Sequence, residues 1–102
     1  MFDLKVTELA DQDLDEILHY IAIELAAPQA ASTFADAVEA CYDRIKSNPL
    51  SFEISKDPRL VKEGFRRAII KNYIMLYKVV HENSEVVVYR FFYCRRDYAN
   101  FV

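Results

Sequence analysis

The chain of 102 residues is long enough for one compact domain and too short for two. Hydrophobic residues make up 53% of it and charged residues 28%, which excludes intrinsic disorder, and one glycine with three prolines excludes a collagen-like or linker-like chain. The net charge is −3, the start has no secretory signal pattern, and no apolar run approaches the roughly 20 residues of a membrane-spanning helix. We therefore expect a single cytoplasmic domain, residues 1–102, with no membrane partner.

The start of the chain predicts a short strand and then a helix. Phe2, Leu4 and Val6 alternate with polar residues, which is the period-two pattern of a strand. An apolar stripe at helical spacing follows and predicts a helix of about four turns. The stripe consists of Leu14, Ile17, Leu18, Ile21 and Leu25. Carboxylates crowd the first turns of this helix, where they favour the positive end of its dipole.

A second helix and a long connection are predicted next. Pro28 suits a first helical turn, because the N–H that proline lacks would be unpaired there. An alanine-rich stretch with helical spacing continues until Asn48-Pro49 ends it. Two helices joined by so short a break predict an antiparallel hairpin. Residues 50–64 show no clean period, so we expect a long connection with room for one helical turn.

The last part of the chain predicts three strands, Phe65–Ile70, Tyr73–Val80 and Glu85–Tyr93, and a short tail, residues 95–102. Short polar breaks separate the strands and predict tight hairpins. The third run is almost entirely β-branched or aromatic, which is typical of a central strand. The predicted fold class is therefore α+β in the order β-α-α-β-β-β. It is an antiparallel-rich sheet with the helical hairpin packed on one face and the other face at least partly open.

Charge is divided unevenly along the chain. Residues 1–57 contain twelve acidic and four basic side chains, a net charge of −8, whereas residues 58–102 contain four acidic and nine basic ones, a net charge of +5. One interpretation is a basic working face on an acidic scaffold. The other is that neighbouring charges of opposite sign neutralise each other on folding. The sequence leaves both open.

The densest candidate site is cationic and aromatic, and its members lie where predicted strands begin or end. They are Arg66, Arg67, Arg90, Tyr93, Arg95, Arg96 and Tyr98. Adjacent strands would bring them to one rim of the open face, where arginine binds phosphate and aromatic rings stack on unpaired bases. An acidic peptide would suit the same residues equally well. Strand alternation places Arg90 and Tyr93 on opposite faces unless the strand bends.

Other reactive groups give weaker signals. His19 lies beside the apolar stripe, where packing at the core boundary is expected, and His81 falls in a predicted turn. Cys41 and Cys94 lack metal-ligand spacing, and we expect both to be reduced, small apolar residues. Nucleotide-binding and zinc motifs do not occur either. We therefore expect neither a cofactor nor a metal.

Three segments carry a resemblance to a known family. They are the helix pair ending at Asn48-Pro49, the strand from Asn72 to Val79, and the run from Arg90 to Tyr98. In their order and spacing they resemble the RelE/ParE superfamily, the toxins of bacterial type II toxin–antitoxin pairs, over essentially the whole chain. The resemblance implies a growth-inhibiting toxin that is silenced by a cognate antitoxin, whose extended segment wraps around it.

The superfamily divides by target. RelE-like members cut messenger RNA in the ribosome, whereas ParE-like members poison DNA gyrase by binding it. For the nuclease branch the resemblance implies catalytic roles for Arg67, Arg96 and Tyr98, with Arg96 contacting the phosphate. The RNA- or antitoxin-binding residues are then Arg66, Arg90, Tyr93 and Arg95.

Three departures weaken the match to the nuclease branch. The region around Val102 replaces the tail tyrosine of RelE-like nucleases, with Tyr98 closer in. Ile74 stands where a basic residue often follows the strand tyrosine, and Tyr93-Cys94 stands where many relatives carry histidine-glycine. Ribosome-dependent mRNA cleavage is the first hypothesis, because the C-terminal half is basic. Gyrase binding is the alternative, favoured by the missing acid–base groups and the net acidity. A binding module without toxicity is the third.

Overall fold

A computed structural model describes residues 1–94, so the predicted tail lies outside the described residues. The strands are β1 (Asp3–Val6), β2 (Arg66–Ile70), β3 (Tyr73–Val80) and β4 (Glu85–Tyr93). The helices are α1 (Glu8–His19), α2 (Pro28–Ser47) and α3 (Pro58–Lys62). The predicted element order is confirmed, and α3 is the helical turn for which the long connection had room.

The strands form one mixed sheet in the order β1-β4-β3-β2. β3 pairs antiparallel with both β2 and β4, whereas β1 joins parallel to β4 at the edge. The antiparallel-rich sheet and the central position of the last strand are thus confirmed. Hydrogen bonds hold both ends of β1, since Phe2 N donates to the Lys46 carbonyl at 2.9 Å and Thr7 N donates to the Val88 carbonyl at 3.0 Å.

Thr7 sets the start of α1 and joins the helix to the sheet. Its Oγ1 accepts a hydrogen bond from Ala10 N at 3.1 Å and donates one to the Tyr89 carbonyl at 2.8 Å. A side-chain oxygen at this position satisfies one of the free amides of the first turn. The helix therefore begins at Glu8, well before the apolar stripe that predicted it.

The end of the first helix differs from the prediction. Tyr20–Glu24 is a π-helical segment, and Ala26 has a positive φ of 49° before α2 starts. A π turn shifts the helical register, so residues beyond it leave the stripe of α1. Leu25, predicted to belong to the apolar stripe, is 55% exposed, and Ile23 is 62% exposed.

The main core lies between the helices and one face of the sheet. Its buried members include Ile17, Phe34, Val38, Ile45, Ala68, Met75, Tyr77, Val86, Val88 and Phe91. A smaller cluster lies on the other face and consists of Leu60, Phe65, Ile74, Leu76 and Phe92. The second face is therefore only partly open, because α3 and the residue before β2 cover part of it.

Polar groups of β2 and β3 fix the long connection against the sheet. The hydroxyl of Tyr77, a fully buried residue, donates to the Pro49 carbonyl at 2.7 Å, and burial raises the pKa of that phenol to about 12. Arg66 Nη1 donates to the Phe52 carbonyl at 2.8 Å. Both bonds satisfy carbonyls of a segment that has little regular structure of its own.

Candidate functional site

A β-bulge in β4 sets the direction of the side chains at the end of that strand. The register with β3 shifts so that Tyr77 lies opposite Val88 but Leu76 lies opposite Arg90, which leaves Tyr89 as the extra residue. Because of this shift, Val88 and Phe91 both reach the main core. Arg90 belongs to the opposite face.

Arg67, Leu76 and Arg90 form one row across the three antiparallel strands, since Leu76 is the partner of both arginines. Directly paired residues point to the same face of a sheet. Leu76 belongs to the smaller cluster, so both arginines lie on the face away from α1 and α2. We call this surface the cationic face; it consists of Arg67, Lys78 and Arg90 with the rings of Phe65, Tyr89 and Phe92.

Each ring of the cationic face lies close to a cation. Lys78 Nζ is 4.5 Å from the ring centre of Phe65 and 5.5 Å from that of Tyr89. Arg90 Cζ is 4.8 Å from the ring centre of Phe92. Cations over aromatic faces are attracted by the ring quadrupole, so these contacts hold the cationic groups against the sheet.

Arg90 is bound on two sides by one carboxylate. Its Nε and Nη2 donate to Asp13 Oδ2 and Oδ1 at 2.7 and 3.1 Å, and Phe91 N donates to the same carboxylate at 3.0 Å. The side chains are only 18% and 14% exposed. The hydrogen bond to Asp13 raises the pKa of Arg90, and this effect is larger than the lowering of the pKa by desolvation. The guanidinium of Arg90 is therefore occupied by a contact within the protein.

The other two cations of the face also lie beside carboxylates. Arg67 Nη2 is 3.5 Å from Glu53 Oε1, and Lys78 Nζ is 3.7 Å from Glu63 Oε2. Both distances are long and both carboxylates are mostly exposed, so these pairs are weak. Within residues 1–94, Arg67 Nε is buried and has no hydrogen-bond partner. Each of the three cations of this face therefore has a carboxylate beside it, but only Arg90 is firmly paired.

The structure does not bring all predicted site residues to one rim. Arg66 pairs with Tyr77 and Tyr93 pairs with Tyr73, both members of the helix-covered face. The alternation that placed Arg90 and Tyr93 on opposite faces is confirmed. The proposed meeting of Arg66 and Tyr93 with Arg67 and Arg90 is therefore wrong. The predicted residues Arg95, Arg96 and Tyr98 lie outside the described residues.

Tyr93 instead lines an open groove that the sequence did not indicate. We call it the hairpin groove; it has a volume of about 580 Å³ and is lined chiefly by Tyr20, Leu25, Phe34, Lys71, Tyr73 and Tyr93. The ring centre of Tyr73 lies 5.3 Å from that of Phe34 and 5.7 Å from that of Tyr93. Burial, and then the neighbouring Tyr20 and Tyr93, raise the pKa of Tyr73. A regular helix continued to Leu25 would place that residue in the core, so helical periodicity does not indicate this groove.

The common catalytic and metal-binding groups do not converge in the described part of the chain. His19 and His81 are both exposed, so the predicted packing role of His19 is wrong. Both cysteines are free; Cys41 is buried as expected, whereas Cys94 is exposed. Residues 1–94 contain no group of three or more metal-ligating side chains. Each helix within these residues is too short or too polar to span a lipid bilayer.

Comparison with known proteins gives a family match over most of the chain. Residues 4–98 match the model of the ParE toxin of the type II toxin–antitoxin system parDE. No curated protein sequence matches the chain.

Solved structures give the same fold. The chromosomal ParDE toxin–antitoxin system of P. aeruginosa is similar with a TM-score of 0.68 at 21% identity, covering 91% of this chain and 96% of that one. The RelBE2 complex of Mycobacterium tuberculosis has a TM-score of 0.63 at 20% identity, covering 90% of both chains. The isolated E. coli RelE toxin has a TM-score of 0.61 at 11% identity, covering 99% of this chain and 93% of that one.

Proposed function

The chain belongs to the ParE family of toxins from type II toxin–antitoxin systems, and from that premise we propose that it inhibits growth by binding a protein target. The target that the resemblance to ParE-like toxins implies is DNA gyrase. This proposal replaces mRNA cleavage as the first hypothesis, because of the contacts that the cations of the cationic face make.

The observation that carries this proposal is that Arg90, the most firmly paired cation of the cationic face, is already bound by Asp13. Arg90 cannot offer its fork to a phosphate without giving up the bidentate pair with Asp13. An RNA backbone would have to displace this carboxylate to reach the guanidinium of Arg90. A protein surface needs no such displacement, because apolar and polar contacts supply most of a protein interface.

The described residues also offer little for proton transfer on this face. RNA cleavage is accelerated when positioned groups give and take protons at the reacting oxygens. His19 ends α1 and His81 lies in the turn between β3 and β4, and neither belongs to the cationic face. The nearby carboxylates Asp13, Glu53 and Glu63 are each engaged by a cation. These groups support binding rather than cleavage as the activity.

Ribosome-dependent cleavage of mRNA is the second candidate, and one observation favours it. Arg67 lies in the same row as Arg90, and its pair with the mostly exposed Glu53 is long at 3.5 Å. A weakly paired arginine can exchange its carboxylate for a phosphate. In this hypothesis Arg67 and Arg96 stabilise charge on the cleaved phosphate, and Tyr98 stacks or donates a hydrogen bond.

A supercoiling assay tests the proposal. Purified toxin is titrated into DNA gyrase acting on relaxed plasmid, and we expect supercoiling to fall with toxin concentration and to return when antitoxin is added. A topoisomerase that relaxes the same plasmid serves as the control, because an effect of the toxin on the DNA itself would slow both enzymes. Full gyrase activity at a toxin concentration that stops cell growth would contradict the proposal.

A further inference from the structure

Three apolar side chains of the long connection are exposed together. Leu50, Ile54 and Val61 are 55%, 50% and 45% exposed, and all three line one pocket. We call it the connection pocket; it has a volume of about 210 Å³ and is lined chiefly by Leu50, Ile54, Val61, Arg66, Val79 and His81. Single exposed apolar residues are ordinary on a protein surface, whereas a contiguous group with a polar rim marks an interaction site.

Backbone hydrogen bonds fix the connection where it carries this group. Ser55 N donates to the Phe65 carbonyl at 2.9 Å, and Arg67 N donates to the Glu53 carbonyl at 3.0 Å. The residues on both sides of Ile54 are thus bonded to the start of β2. A long connection with a defined backbone is a common place for binding residues. Because these side chains are already held in position, little conformational freedom is lost when a partner binds.

Charge narrows the chemistry of the occupant. Arg66 and His81 are the ionisable side chains that line the pocket within the described part of the chain, and both are basic. Arg66 donates one N–H to the Phe52 carbonyl at 2.8 Å, and no carboxylate of residues 1–94 forms an ion pair with it. Each cation of the cationic face, by contrast, has a carboxylate beside it. The pocket therefore suits a partner that brings an apolar side chain and a carboxylate.

The size and lining of the pocket favour a protein over other kinds of occupant. A volume of about 210 Å³ is below the roughly 300–1,000 Å³ of small-molecule sites. Aliphatic side chains give unpaired bases no aromatic ring on which to stack, so RNA suits the pocket poorly. A second copy of this chain would oppose the basic side chains to their own counterparts. An anchor side chain of a different protein suits a pocket of this kind.

We infer that the connection pocket is the surface through which the toxin binds its growth target, with an apolar anchor of that protein in the pocket and an acidic residue at Arg66. The inference rests on the proposed function, because it requires a protein target. The hairpin groove lies at the other end of β3, since Tyr73 lines the groove and Val79 lines the connection pocket, about 20 Å away along the strand. The two surfaces can therefore be altered separately.

Matched substitutions test where the target binds. Ile54→Glu places a carboxylate at the pocket, where it competes for Arg66 with the acidic residue of the partner. Ile69→Glu is the control, because Ile69 is 55% exposed on β2 and does not line the pocket. We expect the toxin concentration that halves gyrase supercoiling to rise at least about tenfold for Ile54→Glu and to stay within about twofold for Ile69→Glu. Thermal unfolding shows that both variants are folded.

Two substitutions at one position test the charge of the partner. Val61→Glu and Val61→Lys remove the same exposed side chain from α3, and both introduced residues favour a helix. An acidic partner repels only the glutamate, so gyrase inhibition should weaken at least about tenfold with Val61→Glu and less than about threefold with Val61→Lys. Equal weakening would overturn the acidic character of the partner.

Growth inhibition in cells separates this inference from the proposed function. If the unmodified toxin inhibits gyrase and folded Ile54→Glu inhibits it equally, the inference is overturned and the proposed function stands. If the unmodified toxin stops growth without inhibiting gyrase, the proposed function is contradicted, and loss of growth inhibition in Ile54→Glu but not in Ile69→Glu would support the pocket as the surface for a different target. Loss of antitoxin affinity in Ile54→Glu with unchanged gyrase inhibition would assign the pocket to the antitoxin and overturn the inference.

Discussion

The two faces of the sheet use the same strands for different purposes. On the helix-covered face, the row Ala68, Met75 and Phe91 is completely or almost completely buried and purely apolar. On the cationic face, the neighbouring row places arginines on both sides of Leu76. The first face supplies stability through burial, whereas the second attaches distant segments of the chain to the sheet through charge.

The comparison explains the uneven distribution of charge along the sequence. Asp13 in the acidic half holds Arg90 in the basic half, 77 residues away. An ion pair with the opposite arrangement joins Lys5 of the acidic half to Glu85 of the basic half, at 3.0 Å between the parallel strands β1 and β4. A basic half of the sequence therefore does not by itself create a free basic surface. The fold places carboxylates from the acidic half beside its cations.

The largest effect should come from the helix-covered face. Ile45→Ala removes a fully buried side chain of α2, and we expect a loss of about 2–5 kcal/mol of unfolding free energy from lost transfer energy and the cavity left behind. Ile69→Ala is the matched control on β2, because Ile69 is 55% exposed. Denaturant unfolding should show it within about 0.5 kcal/mol of the unmodified protein. Equal losses would mean that the two faces are not distinguished by burial.

The two cysteines give a chemical test of burial, because one is buried under the helix-covered face and the other is exposed. Burial raises the pKa of the Cys41 thiol to about 11, so at pH 8 this buried group is almost entirely protonated. Cys94 is exposed. We expect an alkylating reagent to modify Cys94 at least about a hundredfold faster in the folded protein, as read by mass spectrometry. Cys94→Ser should leave a protein that reacts only when denatured; comparable rates would contradict the burial of Cys41.

On the cationic face, the ion pair between Asp13 of α1 and Arg90 should contribute most to the free energy of unfolding. Asp13→Asn leaves Arg90 without its carboxylate in a largely buried place, and we expect a loss of about 1.5–3 kcal/mol. The exposed neighbour Asp15 provides the matched control, and Asp15→Asn should change stability by less than about 0.5 kcal/mol. Chemical denaturation of both variants measures the difference. A negligible effect of Asp13→Asn would remove the structural role of this pair.

The smallest effect should come from the outermost carboxylate. Glu63 is 64% exposed in its side chain and lies 3.7 Å from Lys78. Solvent screens such a pair, so Glu63→Gln should change the unfolding free energy by less than about 0.5 kcal/mol. A loss as large as that of Asp13→Asn would show that the cationic face is more tightly held than its exposure indicates.

Local patterns predicted the elements well and their long-range contacts poorly. The strand runs and the start of α2 were visible because alternation, proline and helical spacing act within a few residues. The bulge at Tyr89 was hidden, since a continuous apolar run gives no sign of where alternation shifts. The partner of Arg90 was hidden too, because no local rule connects it with Asp13.

The candidate site shows the same division. The sequence identified Arg67 and Arg90, which the structure places in one row, from their residue type and their position on the strands. The sequence could not show that carboxylates lie beside these arginines, because Asp13 belongs to α1 and Glu53 to the long connection, both distant in sequence. The hairpin groove escaped prediction since it depends on a π turn, Tyr20–Glu24, that helical periodicity does not reveal.

The central claim is that this toxin acts by binding a protein and leaves messages intact. The most direct test maps the ends of messages in a ribosome-containing translation extract, with the toxin present at a concentration that inhibits growth. We expect no new ends with the unmodified toxin and none with Arg96→Ala. New ends that form within ribosome-bound messages and fall about 10²–10³-fold in rate with Arg96→Ala would contradict the claim and assign the toxin to the nuclease branch.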